Sequence, residues 1–317
     1  LIGVAILSLA VYLFVSFGSA SAEIHEQSDA NKINEFDNDF LRVLVDEDRL
    51  EKYKKSPKVF NGKPLNFNYI LPNATDYKAD LIIIATKFDG LCDAIKNIEN
   101  FVKEDTIILS LLNGVSSEEL IAKKYGWKHI PISYFIGHSA MRDGNNITHD
   151  GTGDIVFGVK DKTKTDESDI ELLKTYFDKV GIAYKTPDDM LHAYWLKYML
   201  NVSSNQSSAI LRLTFGQMQD SEKFQTMLKK IMQEVQQVAK AEGVKNTEVM
   251  IDEAISAFYK MIPEGKTSML QDVEAGRKTE VEMFAGTMIE LGKKHGIQTP
   301  YNQVMKDMLE VIYDVSK

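Results

Sequence analysis

Ala79-Asp80-Leu81-Ile82-Ile83-Ile84-Ala85-Thr86-Lys87 is the stretch whose reading decides the fold. An unbroken apolar run rich in β-branched residues, closed by two polar ones, reads as a central parallel strand covered on both faces. Just downstream, Leu91, Ile95, Ile98 and Val102 fall at helical spacing within residues 89–102. Thr106 to Leu112 is the next strand, ending in Asn113-Gly114, and Glu118 to Lys124 restarts a helix. Strand, helix, strand, helix in this rhythm predicts a βαβ, doubly wound α/β sheet.

Upstream, Phe40 to Val45 reads as a short strand ending in Asp46, and Phe67 to Leu71 as another, stopped by Pro72. Residues 1–22 carry no charge, and Ala20-Ser21-Ala22 resembles a leader-peptide cleavage site. No starting methionine or basic n-region accompanies it, and Ala10 to Phe17 reads equally as a buried first strand. Four Asn-x-Ser/Thr triplets, at Asn73, Asn146, Asn201 and Asn205, would accept glycans in a secreted protein. A cytoplasmic setting without a membrane span is the expectation.

Downstream, residues 129–159 break into strand-like pieces between glycines and are expected as antiparallel additions to the sheet edge. Residues 166–186 give one helix and a short strand. After Pro187 the pattern is helical over 188–212, 220–242, 247–261, 268–293 and 300–316. The expected division is therefore a Rossmann-like domain over 1–187, atypical in its first forty residues, and an all-α domain over 188–317. Residues 220–242 and 268–293 hold more apolar positions than one core stripe needs, which points to a homodimer or to packing within the bundle.

With 317 residues, 44% hydrophobic and 26% charged, the chain is long enough for two domains. A net charge of -9 and the absence of basic runs argue against nucleic-acid binding. A lone Cys92 excludes an internal disulfide, and six scattered histidines without paired spacing argue against a metal site.

Within the first expected helix of the all-α domain, Lys197, Asn201 and Asn205 recur at four-residue intervals. At about 3.6 residues per turn they share one stripe, beside the apolar Leu196, Met199 and Leu200. A lysine bordering a partly dry cleft is a proton-donor candidate, because desolvation lowers the ammonium pKa, while the amides orient a substrate without adding charge. On an exposed face the same lysine would merely snorkel to solvent. Ligands of open parallel sheets bind at the carboxyl ends of the strands, which here carry Asp46, Thr86-Lys87 and Asn113-Gly114.

Ala85-Thr86-Lys87, Leu112-Asn113-Gly114-Val115, Lys197 through Asn205, the block Thr267-Ser268-Met269-Leu270-Gln271-Asp272 through Thr279-Glu280, and Gly296 through Asn302 together resemble the ketopantoate reductases. The Ser268 to Glu280 block is the most specific of these. The resemblance implies NADPH-dependent reduction of a 2-keto acid, with the dinucleotide on the N-terminal domain and the substrate in a cleft against the helical one. It makes Lys197 the general acid and Glu280 a catalytic carboxylate that helps hold the substrate hydroxyl end or the lysine. It puts Asn113, Asn201, Asn205 and Ser268 at the substrate, and Lys87 and Asn113 along the cofactor. Asp46 would favour NAD through the ribose hydroxyls, whereas Arg49 could meet the 2′-phosphate of NADP, the cofactor the family favours.

One departure stands out. The G-x-G-x-x-G opening of that family is missing, and Phe17-Gly18-Ser19-Ala20-Ser21-Ala22-Glu23 keeps only Gly18. A carboxylate at that helix start would oppose a pyrophosphate. Either the start departs from a sound enzyme, or the chain is a catalytically silent ligand-binding or scaffold protein.

Overall fold

The computed structural model describes residues 11–15, 41–56, 59–64, 67–137, 140–143, 146–149 and 153–317; Gly18 lies outside them. Contacts divide the chain into two compact units. One runs through Leu112 and from Ser117 to Met190; the other comprises Asn113–Ser116 and Leu191–Lys317. The Asn113 loop thus belongs with the helical unit, although it follows a strand of the first.

In the first unit the elements are β1 (Val11–Val15), β2 (Arg42–Leu44), α1 (Glu47–Lys55), β3 (Val59–Phe60), β4 (Lys63–Pro64), β5 (Tyr69–Ile70), β6 (Leu81–Ala85), α2 (Leu91–Asn97), β7 (Ile107–Ser110), α3 (Ser117–Tyr125), β8 (Ile132–Ile136), β9 (Ala140–Asp143), β10 (Asn146–His149), β11 (Asp154–Gly158), α4 (Glu167–Val180) and β12 (Tyr184–Lys185). The main sheet has the order β5-β2-β1-β6-β7, with β2 parallel to β5 and β6 parallel to β7.

All five residues of β6 are buried, and their alternation explains why. Leu81 and Ile83, with Ile107 and Leu109 of β7, pack against Phe135, Phe157, Leu173 and Phe177. Ile82, Ile84 and Ile108 face the other way, onto Leu91 and Ala94 of α2, Ile98 just after it and Ile121 of α3. The mixed α/β architecture expected from the sequence is therefore present.

Two local features differ from expectation. The apolar run at 10–17 does supply a strand, but β1 is antiparallel to both β2 and β6. Val15, its carboxyl end, is level with Leu81 at the amino end of β6, and Val11 is level with Ala85. The pieces between 129 and 159 do not extend the main sheet. β8, β11 and β12 form a three-stranded sheet, and β9 and β10 join β3 and β4 in a four-stranded one. The pieces start at the edge strand β7, whose Ile108 N donates to the His129 carbonyl at 2.9 Å, and Phe135, Ile155 and Phe157 join the core on one side of the main sheet.

The second unit contains α5 (Met190–Leu200) from its second residue on, a π turn (Asn201–Asn205), α6 (Gln206–Leu211), α7 (Phe215–Gln219), α8 (Glu222–Ala241), α9 (Met250–Phe258), α10 (Ser268–Glu274), a second π turn (Glu282–Gly286), α11 (Thr287–His295) and α12 (Pro300–Asp314). The helix expected over 268–293 stops after Glu274. There Gly276 turns left-handed at φ 64, and Arg277 folds back to pair with Asp272 at 2.7 Å. Phe224, Leu228, Ile231, Met232, Val235 and Val238 of α8 are all buried within the unit, so its own core absorbs the surplus apolar positions. An apolar stripe stays exposed on α12, at Tyr301, Val304, Met308 and Val311. Among the described residues no helix is long and apolar enough to cross a membrane.

Candidate active site

The helix that carries Lys197 does not continue as an α-helix through Asn205. It widens into the Asn201–Asn205 π turn, whose i→i+5 closure leaves carbonyls of the preceding turn without their usual donors. Local side chains supply them. Ser203 Oγ donates to the Met199 carbonyl at 2.7 Å, Ser204 Oγ to Leu200 at 2.6 Å, Gln206 Nε2 to Val202 at 2.8 Å and Ser207 Oγ to Ser203 at 2.7 Å. Back-bonding of this kind competes with α-helical geometry and stabilises the wider turn. In an α-helix each four-residue step runs about 40° ahead. The wider turn carries the second step back, so Asn205 stays closer to the Lys197 stripe than a straight helix would hold it.

Lys197 is part-buried, and burial alone pulls its ammonium pKa from 10.5 to about 8. Among the described residues no hydrogen bond or ion pair holds it. Such an amine exchanges protons readily near neutral pH.

Asn201 is buried, and its Nδ2 donates to Asn113 Oδ1 at 3.5 Å. The Asn113 loop reaches it through Gly114, which adopts φ 92 and presses on the second π turn. A Cβ there would lie 2.8 Å from Met283 Cγ. Asn113-Gly114 is therefore a fitted contact rather than the plain turn its sequence allows. Asn205 is part-buried, its Oδ1 3.5 Å from Ser204 Oγ. A glycan at the buried Asn201 would have no room.

Ser268 opens α10 and is part-buried beside Thr267, whose hydroxyl caps the helix by accepting from Leu270 N at 3.2 Å. Glu280 is part-buried directly before the second π turn, and its carbonyl accepts from Met283 N at 3.0 Å. Both α10 and the second π turn pack against Asn201–Asn205. The helical unit thus joins Asn113 to Asn201 directly, and holds Ser268 and Glu280 on or next to elements packed around the same turn.

Of the residues expected at the dinucleotide, Asp46 caps α1. Its carboxylate accepts from Arg49 N at 2.7 Å and pairs with the Arg49 guanidinium at 2.9 Å, both side chains about half exposed. The two residues that the sequence offered as alternatives form one ion pair. Lys87 follows β6 and is part-buried at the start of a short 3₁₀ turn, Phe88–Gly90. A carboxylate with a guanidinium suits the ribose end of a dinucleotide, and an ammonium suits the nicotinamide end. The pyrophosphate needs backbone N–H groups following the carboxyl end of the central strand. In β1 that end, Val15, stands at the amino end of β6. Fit is thus confined to the two ends of the group. Among the described residues no three or more His, Cys, Asp or Glu side chains are grouped for a metal ion.

Two family models match the chain: Ketopantoate reductase PanE/ApbA over residues 30–162, and Ketopantoate reductase PanE/ApbA C terminal over residues 189–312. A curated 2-dehydropantoate 2-reductase of Aquifex aeolicus is 28% identical over 236 residues, covering 73% of this chain and 76% of the relative. Among solved structures, D-mandelate dehydrogenase in a ternary structure with NADH and anilino(oxo)acetate aligns at TM-score 0.75 and 24% identity, over 87% of this chain and 91% of that one. A dimeric ketopantoate reductase from Staphylococcus aureus aligns at TM-score 0.66 and 22% identity, over 82% and 87% of the two chains. At these identities the structural likenesses speak for the fold.

Proposed function

This chain belongs to the ketopantoate reductase family of oxidoreductases, and on that premise we propose that it reduces 2-dehydropantoate to pantoate with NADPH in the cytoplasm, Lys197 serving as the general acid. The observation that carries the reading is the part-buried Lys197 amine, pulled down to about 8, one helical turn from an Asn201 bonded to Asn113. A reduced nicotinamide, when bound, supplies hydride to the keto carbon.

The remaining chemistry belongs to the chain. As negative charge grows on the carbonyl oxygen, the Lys197 ammonium stabilises it and delivers the proton, a contribution of about two to four powers of ten in rate. Asn113, Asn201 and Asn205 orient the substrate with neutral amides that leave the lysine charge uncompensated. Ser268 donates to the substrate carboxylate. Glu280 accepts from the substrate hydroxyl end or from the lysine. Asp46, Arg49 and Lys87 hold the cofactor, and Arg49 inclines the choice to NADPH through a 2′-phosphate.

The direction of β1 favours a second reading, a ligand-binding protein of the same fold without turnover. One experiment separates the two. Titrate the protein with NADPH by nicotinamide fluorescence, then add 2-dehydropantoate, with an aryl 2-keto acid in parallel. Saturable binding with oxidation of the cofactor supports the reductase, and the better substrate fixes the side-chain preference. Absence of binding at millimolar NADPH supports the silent protein.

A further inference from the structure

Tyr198, the neighbour of Lys197, is among the largest fully buried side chains of the molecule. Its hydroxyl is not idle in that core. It donates to the Phe284 carbonyl at 2.8 Å and lies 3.3 Å from the Met283 carbonyl, both in the second π turn. On the same π turn, Thr287 Oγ1 donates to the Glu282 carbonyl at 3.4 Å and lies 3.5 Å from Ser116 Oγ. Tyr198 and Thr287 thus both donate to carbonyls of the second π turn, and Ser116 meets Thr287 from the Asn113 loop.

These contacts join three segments that carry candidate site residues. Ser116 belongs to the Asn113 loop, and Tyr198 follows Lys197 on α5. Met283 and Phe284 donate their N–H groups back to the Glu280 carbonyl, at 3.0 and 3.3 Å. Gly114 seats its loop on Met283 as well. A π turn is what makes the arrangement available, since its widened ladder leaves carbonyls open to an outside donor. A phenylalanine would fill the same space and make none of these bonds.

We propose that Tyr198, acting with Thr287, is a positioning residue for the reaction: it fixes the helix bearing Lys197 against the segment bearing Glu280 and the loop bearing Asn113. The inference rests on the reading of Lys197 as general acid. Misplacement of a catalytic group by about 1 Å can lower a rate by as much as 10²-fold, so the registration matters to turnover.

The test combines kinetics with a spectroscopic readout of the amine. Lysine side chains are isotopically labelled, Lys197 is assigned by its loss in Lys197→Met, and its titration is followed by NMR in the wild type, Tyr198→Phe, Thr287→Val and Thr287→Ser. In the wild type the midpoint is expected near 8. Tyr198→Phe and Thr287→Val should raise it by one unit or more as water reaches the amine, and lower kcat about tenfold with little change in KM. Thr287→Ser, which keeps the hydroxyl, should retain wild-type values. Folded Tyr198→Phe and Thr287→Val proteins with unmoved midpoint and kcat would overturn the proposal. If the wild type turns over no 2-keto acid, the reductase reading fails, and the titration midpoint alone then decides the positioning role.

Discussion

Asn201 donates to Asn113 across 3.5 Å, tying the loop that leaves β7 to the π turn of the helical unit. Each amide orients the other, and neither brings charge to the Lys197 ammonium. Hydrogen bonds between neutral groups contribute about 1 kcal/mol, with a larger penalty for the partner left unsatisfied. Asn201→Ala is therefore expected to raise KM for the 2-keto acid about tenfold, with NADPH affinity unchanged. Asn113→Ala should act in the same direction. In the double variant the losses should sum to less than the two single losses, and a double-mutant cycle in kcat/KM checks this. Full additivity would show the two amides acting separately.

Lys197 should reduce stability while it serves catalysis. Its pKa is 10.5 when unfolded and about 8 when folded, so below pH 8 both states are protonated and the folded one carries a desolvated charge. Between those values the unfolded chain binds more protons, and stability rises with pH; above 10.5 the penalty is gone. The shift corresponds to about 3 kcal/mol at most. Lys197→Met should thus be more stable than the wild type at pH 7 in urea denaturation. The advantage should fade as the pH approaches 10.5, and an advantage independent of pH would point to packing instead.

Glu234 on α8 is buried and caps a helix distant in sequence. Its carboxylate accepts from Tyr301 N at 2.7 Å, Asn302 N at 3.2 Å and Asn302 Nδ2 at 2.8 Å, at the amino terminus of α12. Negative charge is favourable there, and the N–H groups otherwise lack partners. Glu234→Ala should lower unfolding free energy by about 2 to 3 kcal/mol, and Glu234→Gln by less because it keeps one acceptor. Chemical denaturation measures both. Turnover per folded molecule should not change.

Residues Leu81 to Ala85 were legible as a buried strand because five apolar side chains in a row can only be satisfied by cover on both faces. Lys197 was picked out by its spacing from Asn201 and Asn205, and the structure leaves it part-buried. The π turn was missed, although the sequence carries its signal: Ser203, Ser204, Gln206 and Ser207 can each reach the carbonyl four residues back. The break after Glu274 was overlooked because the apolar spacing continues across Gly276, whose positive φ outweighs it. Tyr198 and Thr287 gave no signal, since a buried phenol and its partner meet only through tertiary packing. The sense of β1 was equally hidden, because a five-residue apolar run reads the same in either direction.

The most direct test of the central claim is the pH dependence of kcat in the wild type beside Lys197→Ala, with NADPH affinity measured in both. The wild-type rate should fall as pH rises through about 8, where the donor loses its proton. Lys197→Ala should lose about two to four powers of ten in kcat, lack that limb, and bind NADPH as before. A Lys197→Ala protein that keeps its turnover, or that loses turnover and NADPH binding equally, would contradict the role assigned to this amine.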